Sequence, residues 1–260
     1  MTFQPMLSGT VTDAGLETLR YPVFVSPKLD GIRAVKRDGV LLSRKLKPIR
    51  NKFVQHELRD LTNGVDGELI VGPPTALAVF KRTAEGVMSA DGEPDFRFLA
   101  FDMVASEDGP FDGRYHRLID WHELGWFPPR VSVVPHRLAK TPDEVRKLET
   151  LAVQAGYEGI MIRSVDGPYK FGRSTFKEGY LLKLKRWEDA EYEIYDFVEQ
   201  MHNQNELAED ERGYAKRSKA KEGLVGAGKV GAVLVRSVAE HGHIAEVGTG
   251  FTDAERVHMW

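Results

Sequence analysis

Short apolar runs bounded by Gly, Pro or Asp recur along the chain, at residues 21–25, 67–71, 96–104, 159–163 and 180–184. Runs of this length and punctuation predict strands. One stretch changes to a helical period. Val145, Leu148, Leu151, Ala152 and Ala155 mark one apolar face there,. Thr141 suits the N-cap, Pro142 the first helical position, Glu144 a capping box and Gly156 the stop, so a helix is predicted over 142–155. A second helix is expected within 115–124, burying Leu118, Trp121 and Leu124, and a third over 51–61. Trp121 and Trp126 are expected in the core.

After residue 187 the pattern changes. Residues 188–193 are mostly acidic, and 200–228 are polar without a clear apolar period. Strand-like runs return at 231–235 and 243–247, with a hairpin turn expected at His241-Gly242-His243. The chain is thus predicted to divide into 1–187 and 188–260, the second part a small β module with a long loop at about 203–229.

Composition narrows the class. Lys and Arg total 36 and Asp and Glu 39, a net charge of −3 over 260 residues. That balance argues against a uniformly basic protein and leaves room for a local nucleic-acid site. With 42% hydrophobic residues the chain can build a core,. There is no Cys, which excludes disulfides, cysteine nucleophiles and thiolate metal sites. No apolar stretch approaches the length of a membrane span, and the first ten residues lack the features of a signal peptide. A soluble, cytoplasmic protein is expected. The eight histidines show no metal-ligand spacing.

Five segments concentrate chemistry. Lys28-Leu29-Asp30-Gly31-Ile32-Arg33 crowds Lys, Asp and Arg onto one loop after a strand; alone it also reads as a surface turn. In Asp66-Gly67-Glu68-Leu69-Ile70-Val71, strand alternation puts both carboxylates on one face. They suit a hard cation or a ribose hydroxyl, or simply a solvated face. Phe98-Leu99-Ala100-Phe101-Asp102 offers aromatics for a core or for a base. Glu158 opens the apolar run Gly159-Ile160-Met161-Ile162-Arg163, where a carboxylate needs a partner. In Leu181-Leu182-Lys183-Leu184-Lys185 the two lysines share a face, as a phosphate site would require.

In order and spacing these segments resemble motifs I, III, IIIa, IV and V of the covalent nucleotidyltransferase superfamily of DNA ligases, RNA ligases and mRNA capping enzymes. Ser43-Arg44 resembles the arginine-bearing motif between the first two. Gly86-Val87-Met88-Ser89, Pro94-Asp95-Phe96 and Gly248-Thr249-Gly250-Phe251-Thr252-Asp253-Ala254-Glu255-Arg256 resemble segments of the small phage and bacterial ATP-dependent DNA ligases. The fold this implies is α+β: a nucleotidyltransferase domain of antiparallel sheets with flanking helices, then a β-barrel OB-fold domain expected to be incomplete at its C-terminus.

The implied activity seals nicks in duplex DNA, in replication, repair or recombination, with ATP and Mg²⁺ or Mn²⁺. Lys28 would attack the ATP α-phosphate; a free lysine titrates near pH 10.4, so neighbouring cations are expected to ease its deprotonation. Glu68 would hold the ribose and, with Glu158, the metal. Phe101 would stack on adenine, with Ile160 or Met161 beneath. Lys183 and Lys185 would contact phosphates. Asp30, Arg33 and Arg44 would position nucleotide and nick ends. Arg212, Lys216, Arg217, Lys219 and Lys221 would bind DNA from an OB insertion. Only 27 residues precede Lys28, which favours ATP over NAD. The family's final motif is not found before Trp260, so Lys28 adenylation is expected to suffer more than sealing of a pre-adenylated nick. A monomer is expected. The rival readings are an RNA ligase or capping-type enzyme, and a non-catalytic nucleic-acid binder.

Overall fold

The computed structural model describes residues 3–104, 109–186, 190–209, 215–217, 220–238 and 244–260; for 207–209 and 215–216 it describes the backbone alone. The expected turn at 241–243 lies outside these residues. The chain divides into two compact units, Met1–Arg186 and Trp187–Trp260.

The first unit holds two five-stranded sheets. One runs in the order β1 (Gly9–Thr10), β10 (Leu181–Lys185), β9 (Gly159–Ser164), β2 (Val23–Pro27), β8 (Arg137–Ala139). The other runs β4 (Val40–Ser43), β3 (Ile32–Arg37), β5 (Val65–Val71), β6 (Phe96–Met103), β7 (Val131–Val133). Neighbours are antiparallel except at one edge of each sheet, where β1 lies parallel to β10 and β7 parallel to β6. Helices α1 (Lys52–Glu57), α2 (Val79–Met88) and α3 (Phe111–Glu123) accompany the second sheet, and α4 (Pro142–Gln154) packs on the first. Each sheet has its own core, one around Leu69, Phe96, Phe98 and Leu118, the other around Val25, Val145, Ile162 and Leu184. A smaller cluster of Val35 on β3 with Leu181 on β10 joins them. The cleft between the sheets is lined from both of them.

Local chemistry explains the elements. Thr141 caps α4 by accepting from the Glu144 N–H at 3.2 Å, while the Glu144 carboxylate turns back to the Lys140 N–H at 2.6 Å. The box is thus displaced by one residue. Gly156 follows at φ +92°, the left-handed conformation that ends a helix. The expected apolar stripe needs correction: Leu151 is 47% exposed, whereas Glu149 is 1% exposed on the same face as Val145 and Ala152. Leu124 and Trp126 also lie out in solvent, and Trp121 is only partly buried. These side chains fall where α3 ends and the chain leaves the sheet.

Between β5 and β6 the ladder slips by one residue. Asp66 faces Asp102 and Gly67 faces Ala100, so Phe101 has no rung of its own. Such a bulge re-aims a side chain.

The second unit carries an antiparallel sheet ordered β11 (Tyr192–Asn203), β14 (Leu224–Ser237), β15 (Ile244–Val247), a hairpin of β12 (Leu207–Glu209) and β13 (Ala215–Arg217), and helix α5 (Asp253–Met259). Val230, Val233 and Val235 pack with Phe251 and Met259. Thr252 and Glu255 form a complete capping box at the start of α5. The expected loop at 203–229 is thus not one loop. It holds the hairpin, a short 3-10 turn at Lys221–Gly223 and the first rungs of β14. Asn205 ties it by donating to the Ala220 carbonyl at 2.8 Å. Lys229 sits in β14 and pairs with Asp253 at 2.9 Å.

Candidate active site

Lys28 leaves the end of β2, and its N–H donates to the Gly159 carbonyl at 2.9 Å. The loop then lies against β5. A Cβ on Gly31 would meet the Leu69 carbonyl oxygen at 2.2 Å, so only glycine permits this approach. It brings the Gly31 N–H to the Glu68 carboxyl. Just before β9, Glu158 accepts hydrogen bonds from two ammoniums, those of Lys28 and, at 2.8 Å, Lys185. Burial works to raise the Glu158 carboxyl, but the hydrogen bonds from Lys185 and Lys28 outweigh it and hold it below the usual range. A carboxylate bracketed by two cations is a place where anionic oxygens can exchange partners.

Beside Lys28 opens a cavity of about 320 Å³, the size of a small-molecule site. Of the residues expected from sequence, it brings together Lys28, Arg33, Arg44, Glu68, Phe101 and Lys183. Met161 lines it too, whereas Ile160 is buried in the core. Of the two, Met161 is therefore the one beside the cavity. Asp30 is exposed and lies with Lys28 and Glu158 on a neighbouring depression walled by residues 74–79. Lys183 and Lys185 alternate with the buried Leu182 and Leu184.

The two acids of the second segment part company. Asp66 is fully buried and receives Arg33 at 2.5 and 3.0 Å and the Tyr169 hydroxyl at 2.5 Å. Burial, and next the Asp66 charge, push the Tyr169 hydroxyl upward, so it stays protonated and donates. Burial opposes the Arg33 charge and Asp66 more than restores it. Behind Phe101, Asp102 holds Arg114 at 2.8 Å and Arg163 at 2.6 Å. The guanidiniums of Arg33 and Arg163 lie 5.3 and 5.4 Å from the Phe101 ring, within cation–π range.

Glu68 lines the cavity, and burial pushes its carboxyl up to about 8 despite the Arg33 charge. The free protein thus carries Glu68 largely protonated at neutral pH. A raised folded value stabilises below the unfolded value of about 4.5 and loses that stabilisation as pH climbs toward 8. Glu68→Gln lacks this titration. Between pH 5 and 9 its stability relative to wild type should improve by about 3–4 kcal/mol, read by urea unfolding at both pH values. A constant difference would contradict the raised carboxyl.

Several lining residues were not singled out from sequence: Leu7, Ser8, Ser26, Arg163 and Arg173. Arg163 ends the fourth segment, and its place there is the one signal that pointed to it. Leu7 and Ser8 arrive through the parallel pairing of β1 with β10 and a bridge from Leu7 to Arg173, which no local pattern announces.

Of the residues expected on DNA, Arg217 donates to the Asn205 carbonyl and Lys221 is exposed on the 3-10 turn. Arg212 and Lys219 lie outside the described residues, and Lys216 is described by backbone alone.

The family model of the ATP dependent DNA ligase domain matches residues 5–185, the stretch that holds every residue of this cleft. The chain belongs to the ATP-dependent DNA ligase domain family. An African swine fever virus DNA ligase is 37% identical over 60 residues, 23% of this chain and 14% of that protein. A probable DNA ligase of Kineococcus radiotolerans is 30% identical over 200 residues, 70% of this chain and 37% of that protein. This ligase-family chain therefore spans well under half the length of these curated relatives. The solved Chlorella virus DNA ligase-adenylate is 29% identical, with a TM-score of 0.63 over 99% of this chain and 86% of its own. The ligase fold is thus a nucleotidyltransferase unit followed by an OB-type β unit. No helix among the described residues is long and apolar enough to cross a membrane.

Proposed function

We propose that this chain seals nicks in duplex DNA with ATP, through AMP held covalently on Lys28. The carrying observation is the Lys28–Glu158–Lys185 bracket, whose Lys28 lines the cavity with Phe101, Met161, Glu68 and Lys183. Adenine would stack between Phe101 and Met161, and the neutral Glu68 carboxyl can donate to a ribose oxygen. The Lys28 amine, once deprotonated, attacks the α-phosphorus. The N–P bond forms, the bond to the bridging oxygen breaks and pyrophosphate leaves. AMP then passes to a 5′-phosphate at the nick, and the 3′-hydroxyl displaces it. Such transfers depend on positioning and charge neutralisation, which Lys183, Lys185, Arg33 and Arg44 supply.

Among the described residues no three His, Cys, Asp or Glu side chains gather for a metal. Glu158, a hard oxygen donor with its carboxylate 38% exposed, fits a Mg²⁺ that takes its other ligands from phosphates and water. A bound Mg²⁺ or Mn²⁺ would offset charge on the phosphates. Glu158 would hold it, with Glu68 nearby at the ribose. DNA is the macromolecular partner, the acting species is a monomer, and its place is inside the cell.

The test is intact-protein mass after incubation with ATP and Mg²⁺, followed by discharge onto nicked DNA or nicked RNA. A gain of one AMP that nicked DNA releases supports the reading. No gain, or discharge by RNA alone, contradicts it.

Arg212, Lys216, Arg217, Lys219 and Lys221 would contact phosphates around the nick. Replacing all five with Gln should weaken nick binding and lower the slope of log K against log salt by roughly 0.9 for each phosphate that is no longer neutralised. Unchanged binding across a salt titration would remove this segment from the DNA surface.

A further inference from the structure

On the buried stripe of α4, between Val145 and Ala152, stands the carboxylate Glu149, 1% exposed. A charge there is costly unless paired. Its partner is Arg186, which donates through Nε at 2.9 Å and Nη2 at 2.6 Å in a two-pronged pair. Arg186 directly follows Lys185, and Glu149 stands on the helix that precedes Glu158. After α4, residues 155–157 lead directly to Glu158, with the Tyr157 N–H bound to the Ala152 carbonyl at 3.0 Å. Arg186 follows Lys185, the last residue of β10. In the ladder Lys185 faces Gly159, the final rung of β9 with β10. Terminal rungs open most easily.

We infer that Glu149 is a positioning residue: through Arg186 it ties down the end of β10 and so holds Lys185 on Glu158. The pair joins the helix that leads into Glu158 to the residue that directly follows Lys185. A rigid guanidinium fork fits this better than a lysine, because its two donors fix direction as well as distance. This assignment rests on the lysyl-AMP reading, since it acts on the first transfer to Lys28.

The experiment is a double-mutant cycle read as the maximal rate of lysyl-AMP formation at saturating ATP and Mg²⁺. The proteins are wild type, Glu149→Gln, Lys185→Ala and the double variant. Glu149→Gln should lower the rate about tenfold while equilibrium binding of AMP changes less than twofold. In the Lys185→Ala background it should change the rate less than twofold, because the group it positions is gone. Arg186→Lys should recover part of the rate relative to Arg186→Met. If Glu149→Gln does not fold, Glu149→Leu with Arg186→Met removes both charges and leaves no unpaired one. That protein should unfold at the wild-type midpoint and still show the tenfold loss. Equal losses with and without Lys185, or a rate within twofold of wild type in the folded variant, would overturn the tie. A wild type that forms no lysyl-AMP would overturn it together with the ligase reading. A wild type that adenylates normally beside an additive cycle would overturn the tie alone.

Discussion

Lys28→Ala should give no AMP adduct and at least about a thousand-fold slower self-adenylation, since the attacking atom itself is removed. The geometry gives this substitution little else to disturb. Lys28 is partly exposed, and its backbone N–H to Gly159 does not depend on the side chain. Glu158 keeps Lys185 at 2.8 Å, so the carboxylate is not stranded. The variant should therefore fold with a wild-type unfolding midpoint and lose only chemistry. Intact mass after incubation with ATP reads the adduct, and a thermal melt reads the fold. The same variant should still close a nick that already carries AMP on its 5′-phosphate, because Lys28 has no bond to make in that step. An AMP adduct persisting in Lys28→Ala would assign the nucleophile to another residue.

The largest effect on stability is expected at Asp102. Its carboxylate is fully buried and serves Arg114 on α3, Arg163 on β9 and its neighbour's N–H at Met103. Burial raises this carboxyl, and Arg163 and Arg114 more than reverse it. Asp102→Ala leaves two guanidiniums buried at 3% and 4% exposure without their shared counter-charge. Stranding buried partners of this kind costs about 3–5 kcal/mol, which for a unit of this size lowers the melting temperature on the order of 10 °C. The loss should be accompanied by weaker nucleotide binding, because Arg163 lies against the Phe101 ring. Urea unfolding gives the first quantity. A loss below about 1 kcal/mol would mean that water or rearrangement satisfies both arginines. The wild type should show the related acid sensitivity. A depressed folded value contributes stability above the unfolded carboxylate range and loses it as pH falls through the folded one.

What could be read in the sequence follows from how locally each feature is specified. The segments bearing Lys28, Glu158 and Lys183 are apolar runs whose alternation is intact, and they fold as strands at nearly the expected places. The helix at 142–154 is signalled by its own cap, proline and glycine. Other elements are hidden by charge. β3 carries Arg33, Lys36 and Arg37, and only the fold shows Lys36 buried with its ammonium on the Leu58 carbonyl at 2.7 Å. α2 begins at Ala78 with φ +57° and no capping side chain, so nothing announces it. Asp66 and Glu68 read as one face of a strand, but the ladder slip and the partners Arg33 and Tyr169 draw Asp66 inward. Ser8 and Arg173 meet the cavity through pairings that span most of the unit.

The slip at Phe101 has a consequence for how β6 tolerates change. Up to Ala100 every second side chain enters the core, and beyond it Asp102 and Met103 are buried in succession. Alternation holds through Asp102, so Phe101 and Asp102 face opposite sides of the strand, and the period breaks only at Met103. The additional residue sets Asp102 opposite Asp66 and Ala100 opposite Gly67, with Phe101 between them. Phe101 could be exchanged for another flat ring with modest loss, whereas shortening the strand by one residue would rotate everything after it by half a period. In this part of the protein, the number of residues is held more tightly than their kind.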